Sequence, residues 1–249
     1  MRRLIVITFM AFLTAVPVLR AQEDEFAMGN NFYESKDYPS AIRMYESVLK
    51  QGEESAPLYF NLGNAYFKNG DLGHAVLNYM RAQRLDPGDE DIRNNLEFAQ
   101  KFSRVQMEGA ELNPVSGLLN SLLAPYHVDL LAWAASGCFI LLILVLILRF
   151  GFGFMGAVAR AFIVALVTLT IIASALTTYK YRTEYVVRRG VILAEESPVY
   201  TGASENSDIE LQGAPGLVVR ILNEADGFYN VQFANNRRGW IKSDLVAEI

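Results

Sequence analysis

The sequence predicts a multidomain membrane protein: an all-α solenoid, then a two-helix transmembrane hairpin, then a small all-β barrel. Three observations predict this order. A helix-rich segment matches itself at a shift of 34 residues, two runs of 19 residues carry no charge, and a C-terminal stretch of β-branched runs is broken by turn dipeptides. Hydrophobic residues make up 52% and charged residues 20%, against roughly 45–50% and 25% in soluble domains. The surplus is concentrated in the apolar runs. A net charge of −5 excludes a basic nucleic-acid binder. Cys138 is the sole cysteine and lies in an apolar run, and the only histidines are His74 and His127. A disulfide framework, a Cys–His nucleophile pair and a His-rich zinc site are therefore not expected. The reading is of a protein that is not an enzyme, without catalytic residues, metal or cofactor.

Residues 1–21 have the layout of a signal peptide. Arg2 and Arg3 precede an uncharged stretch from Leu4 to Val18, and Ala21 supplies a small residue before Gln22. Fifteen residues are short for a span, which needs about 20. Leu19 and Arg20 depart from the small-residue cleavage pattern, so a retained anchor is the alternative. Either way the following residues are expected outside the cytoplasm.

Residues 22–107 form the solenoid. At the 34-residue shift Gly29 falls on Gly63, Ala41 on Ala75 and Tyr45 on Tyr79. In the second unit Tyr59, Leu62, Gly63 and Tyr66 are followed by Ala75, Tyr79, Ala82 and Pro87. This spacing resembles the tetratricopeptide repeat. Gly63 and Ala75 are expected where two helices cross closely, with Tyr66 and Tyr79 filling the space beside the crossing. Asn69-Gly70 turns the chain and Pro87 stops the second helix. A third unit begins after Pro87: Asp89 or Asp91 caps it, and Ile92, Leu96, Ala99 and Phe102 make its apolar face. Two repeats and a closing helix are expected, five helices in all.

Residues 108–129 read as a linker. Leu118, Leu119, Leu122 and Leu123 gather on one helical side, as in a helix lying at a membrane surface, or they belong to an apolar loop. Residues 130–149 and 161–179 are the spans, joined by a basic turn at 150–160 with Arg149 and Arg160 at its ends. An uncharged run of 19 residues is about 28 Å long as a helix, close to the bilayer core. Trp133 and Tyr179 are expected as interface anchors. Thr168, Thr170, Ser174, Thr177 and Thr178 bond either to neighbouring helices or to their own backbone.

Residues 180–249 read as short strands. Asp226-Gly227 and Asn235-Asn236 are hairpin-type turns, and between them Tyr229, Val231 and Phe233 alternate toward one buried face. Ser197-Pro198-Val199, Gly216-Leu217-Val218-Val219, Asp226-Gly227-Phe228-Tyr229 and Gly239-Trp240-Ile241 resemble the pattern of bacterial SH3-like domains.

With the N-terminal signal fixing orientation, the hairpin returns the chain, so repeats and barrel share the periplasmic side and the turn is cytoplasmic. Lys180, Arg182, Arg188 and Arg189 after the second span oppose this, since they outnumber the basic residues of the turn. Over essentially its whole length the order of parts resembles the BatE-like family of bacterial aerotolerance (Bat) operons. The sharpest residues are Asn61-Leu62-Gly63-Asn64-Ala65-Tyr66 and Asp91-Ile92-Arg93-Asn94-Asn95-Leu96-Glu97. The resemblance implies an inner-membrane scaffold whose partners are Bat-family proteins with von Willebrand factor A domains. In peptide-binding repeats of this kind, inner-helix asparagines touch the ligand backbone. Asn30 and Asn61 hold such positions, with Asn64 and Asn95 nearby; polar residues on a solvated concave face are the alternative. The carboxylate-gripping lysines of that family are absent, Phe26 and Asp91 standing in their places. SH3-like domains of bacteria often bind peptidoglycan, and Tyr200, Phe228, Tyr229 and Trp240 are candidates for a ligand cleft. His74 reads as a solvated surface residue.

Overall fold

The computed structural model describes residues 25–104, 114–151 and 157–249. The signal segment at residues 1–21 lies outside the described residues, as do parts of the linker (105–113) and of the turn (152–156). The fold class is the one the sequence predicts: repeat-like helices, two long apolar helices and a C-terminal antiparallel sheet. The chain divides into two compact units. One joins the repeats to the barrel; the other holds residues 112–188.

In the first unit, five helices precede the sheet among the described residues: α1 (25–34), α2 (Tyr38–Lys50), α3 (Ala56–Lys68), α4 (Leu72–Leu85) and α5 (Glu90–Arg104). Side-chain oxygens satisfy the exposed first-turn amides. Asp37 caps α2, Ser55 caps α3 and Asp71 caps α4. Of the two candidates for α5, Asp89 acts, its Oδ1 accepting from the amides of Asp91 and Ile92 at 2.8 and 3.2 Å. The turn before α4 uses Gly70 at φ +87°, and the equivalent place 34 residues earlier is held by Lys36 at φ +64°. A Cβ on Gly63 would lie 2.8 Å from the Tyr79 ring and 3.3 Å from the Ala75 carbonyl oxygen. That notch lets α3 and α4 cross closely. Ile92, Leu96 and Ala99 are buried as expected, but Phe102 is not: it is half exposed, and Ser103 takes the buried position instead. Ile92, Leu96, Ala99 and Ser103 follow the 3.6-residue period, and Phe102 lies one residue, about 100°, off that stripe.

The barrel has seven antiparallel strands among the described residues: β1 (Arg189–Ile192), β2 (Ser197–Tyr200), β3 (Ile209–Gly213), β4 (Val218–Ala225), β5 (Phe228–Gln232), β6 (Arg238–Lys242) and β7 (Val246–Glu248). Their order is β3-β2-β6-β5-β4-β1-β7. Asp226 and Gly227, at φ +51° and +77°, make the two-residue turn between β4 and β5, and Asn236 sits at φ +63° in the next loop. The core gathers Ile192, Val199, Val219, Ile221, Val231, Phe233 and Ile241.

Repeats and barrel do not have separate cores. Val191 is fully buried among Ala75, Val76, Leu77, Met80, Leu96 and Ala99, with Leu193, Val218, Ala247 and Ile249 packed against the same cluster. Ser103 Oγ donates to the Pro215 carbonyl at 2.8 Å. Gly73 lets the chain at Leu193 close in, since a Cβ there would meet Leu193 O and Cα at 2.6 and 2.7 Å. A solenoid needs its last apolar face covered; here strands cover it. The described repeats, residues 25–104, thus share a core with the strands.

The second unit contains α6 (Pro114–Leu123), α7 (Val128–Gly151), α8 (Ala157–Tyr181) and a π-helical turn (Arg182–Val186). The leucine-rich part of the linker is thus helical. Asn120 Oδ1 accepts from the Tyr179 hydroxyl at 2.9 Å, and the Leu123 carbonyl accepts from Lys180 Nζ at 2.9 Å. Helices α7 and α8 pack together and are long and apolar enough to cross a membrane. At 24 and 25 residues they are about 36 and 38 Å long. Thr170, Thr177 and Thr178 donate to backbone carbonyls four residues earlier at 2.7–2.8 Å. For these three the own-backbone alternative holds.

Candidate functional site

Two surfaces of the first unit carry the residues singled out from sequence. The first lies along the inner helices α1, α3 and α5. Asn30 Oδ1 accepts from the Tyr45 hydroxyl at 2.8 Å and from Asn61 Nδ2 at 3.0 Å. Asn64 Oδ1 accepts from the Tyr79 hydroxyl at 2.7 Å and from Asn95 Nδ2 at 2.9 Å. Each member of the second set stands 34 residues after its counterpart, so the repeat period carries a hydrogen-bond ladder as well as a core. Burial pushes the Tyr45 hydroxyl up to about 12 and raises that of Tyr79 further. Both therefore remain donors at any physiological pH. With two donors on each oxygen, Asn30 and Asn64 have their amide planes fixed and their NH₂ groups available to an acceptor. Asn30, Asn61 and Asn64 line a cleft of about 190 Å³ with Tyr33, Glu34 and Tyr45. Asn95 joins it through Asn64.

Sequence reasoning missed the continuation of this line. Phe98 and Phe102 stand three and seven residues after Asn95, hence on its helical face, and Phe67 stands three after Asn64. The three rings form a cluster with centroids 5.3–5.9 Å apart, and Phe98 and Phe102 are half exposed. The i, i+3, i+7 spacing from Asn95 was the signal available.

His74 is not freely solvated. Its ring stacks on Tyr66 at 4.9 Å and its Nδ1 lies 2.7 Å from Asp71 Oδ2. The hydrogen bond to Asp71, against the cost of burial, raises the imidazole pKa. Among the described residues no group of three or more His, Cys, Asp or Glu could hold a metal ion.

The second surface is on the barrel. Residues directly opposite in an antiparallel pair point to the same face. Tyr200 is opposite Trp240, Trp240 opposite Asn230, and Phe228 opposite Lys242. Tyr229 is opposite Ile241, which is fully buried in the core. Tyr200, Phe228 and Trp240 therefore share the face opposite Ile241, where Tyr200 and Phe228 are buried with their rings edge-on at 6.0 Å and Trp240 is half-buried. Tyr229 is on the other face, partly buried against the barrel core, its hydroxyl donating to Glu248 Oε1 at 3.0 Å. On the aromatic face Asn230 Oδ1 is buried and has no hydrogen-bond partner among the described residues. An unpaired buried carbonyl oxygen beside an indole is a place for a donor.

Segments of both the repeats and the barrel match known families. Residues 29–70 match the family described as TPR repeat and residues 56–89 the family described as tetratricopeptide repeat. Residues 194–248 match the family described as bacterial SH3 domain. No curated protein matches the chain.

Proposed function

We propose that this chain, with its tetratricopeptide repeats and bacterial SH3 domain, is a non-catalytic scaffold of the bacterial envelope. The α7–α8 hairpin anchors it in the inner membrane, and the repeat groove holds an extended segment of a partner protein. The observation that carries this reading is the asparagine ladder. It presents fixed amide donors at the repeat spacing, beside a phenylalanine platform that a partner's apolar side chain would cover. The exposed apolar surface of the long helices, with Trp133 at 77% and Phe150 at 79%, supports lipid as their solvent. The core shared by repeats and barrel supports one compartment for both, as a hairpin gives; the signal segment favours the periplasm. The resemblance to the BatE-like family proposes Bat proteins with von Willebrand factor A domains as partners.

The test uses the full chain, immobilised in detergent and exposed to membrane extract. It is expected to retain a von Willebrand factor A protein. Asn61→Ala combined with Phe98→Ala should lower retention about tenfold, from one hydrogen bond and one ring contact with the partner lost, while the melting temperature falls only by the few degrees that about 1 kcal/mol of lost ladder bonding brings and the repeats stay folded at the temperature of the assay. Asn64 is unsuited to this test because it accepts the Tyr79 hydroxyl. Equal retention by the double variant, or none above background by either protein, sinks the scaffold reading.

A second reading, peptidoglycan binding by the barrel, is favoured by the half-buried Trp240 ring and the unpaired Asn230 oxygen on the same face. Co-sedimentation of the full chain with purified sacculi should be lost in Trp240→Ala and retained in Tyr229→Phe. No co-sedimentation of the parent protein removes this reading.

A further inference from the structure

We propose that the aqueous end of the α7–α8 hairpin binds a phospholipid whose headgroup ends in a primary ammonium. The inference rests on the membrane-spanning role proposed above. A cavity of about 650 Å³ lies between the two helices, lined along α7 from Val128 to Ala135 and along α8 from Ser174 to Tyr181. Seven residues at 1.5 Å each make it an open groove about 10 Å long along the helices, the extent of the headgroup region and the first methylenes below it. Its volume falls within the range of small-molecule sites.

The polarity of the lining selects the occupant. Asp129, in the first turn of α7, brings a carboxylate to the open end. Thr177 and Thr178 commit their protons to the carbonyls of Ala173 and Ser174, so toward the cavity their hydroxyls offer only lone pairs. No Lys or Arg is among the lining residues. Of the cations adjacent in sequence, Lys180 is held by Glu184 at 2.6 Å and by the Leu123 carbonyl, and Arg182 is not among the lining residues. Tyr181 and Tyr185 stack with centroids 5.4 Å apart and add ring faces at the same end. A carboxylate, two accepting hydroxyls and aromatic faces suit a terminal ammonium and disfavour a headgroup of net negative charge capped by glycerol, the phosphodiester common to both lipids staying at the open end. Deeper in, the small side chains of Ala132 and Ala135 leave room for an acyl chain. Small residues there would be superfluous for a free water-soluble amine.

The experiment is native mass spectrometry of the full chain, released from detergent after incubation with equimolar phosphatidylethanolamine and phosphatidylglycerol of identical acyl chains. About tenfold preference for phosphatidylethanolamine is expected, an ion pair and a ring contact acting together at a partly desolvated site. Asp129→Asn should bring the ratio to within about twofold of unity, and Asp129→Glu should preserve the preference, since it keeps the charge. Equal binding of the two lipids by the parent chain, or an unchanged preference in Asp129→Asn, overturns the proposal. Displacement of the bound lipid by millimolar phosphoethanolamine overturns the lipid as occupant in favour of the free headgroup. Alkaline carbonate extraction of membranes separates the two levels of failure. A chain that washes off refutes the spanning role itself, whereas one that stays and shows no lipid preference refutes only this site.

Discussion

A Gly73→Val variant is expected to part the barrel from the repeats. The new side chain would begin 2.6 Å from the Leu193 carbonyl oxygen and 2.7 Å from Leu193 Cα. Both are backbone atoms of a chain already pinned: the Leu193 amide donates to Leu245 O at 2.9 Å and the Ile192 amide to Leu217 O at 3.0 Å. A flexible side chain could swing aside; these atoms cannot. The cost should lie at or above the upper end of the roughly 1–3 kcal/mol that overpacking brings. Part of it is relieved by opening the junction at Val191, Val218 and Ile249. Hydrogen exchange should then show lost amide protection in β1 while the α2–α3 pair keeps its own, and the urea midpoint should fall. An unchanged midpoint with β1 still protected would falsify the shared core.

Tyr79→Ala should be comparably severe within the repeats. Tyr79 is 2% exposed, its ring seated on Gly63 and 6.0 Å from Phe60, its hydroxyl on Asn64. Removing a buried aromatic leaves a void that the Gly63 notch cannot fill, at about 3–5 kcal/mol. Tyr79→Phe isolates the ladder: it leaves the Asn64 oxygen with one donor instead of two and should cost about 1 kcal/mol. Circular dichroism melts of both variants check the split. Equal losses would mean that the ring contributes nothing beyond its hydroxyl.

Features set by local chemistry were legible in the sequence. The 34-residue period marks Gly63, Ala75 and Tyr79, because a close helix crossing needs small residues on one side and a large one on the other. Turn dipeptides mark Asn69-Gly70 and Asp226-Gly227, because φ > 0 is cheap only for a few residue types. The ladder was half legible: Asn30, Asn61, Asn64 and Asn95 could be named, but not that each pair shares one oxygen with a buried tyrosine. In the barrel, the alternation of Tyr229, Val231 and Phe233 already set Tyr229 on the core face and Phe228 opposite it, as the strand register has them. The repeat–barrel junction left no sequence signal. Val76, Leu96, Val191 and Val218 are ordinary apolar positions in their own elements, and Gly73 reads as a helix-start glycine. Their meeting depends on contacts such as Ser103 to Pro215, 112 residues apart, which no local period encodes.

The shared core also sets a timetable for biogenesis. The apolar faces of α4 and α5 leave the ribosome early, yet the strands that cover them follow only after both long helices have been made. Contacts of such high sequence separation form late, because the intervening loop must close before any of them is rewarded. During that interval the nascent repeats carry an uncovered Val76, Leu77 and Leu96. On the membrane-spanning role proposed above, delay in integrating the hairpin into the bilayer is also delay in hiding a sticky surface, the circumstance in which chaperones and proteases compete for a chain. A fault confined to α7 or α8 would thus surface first as loss of the repeat domain, far along the chain from the lesion.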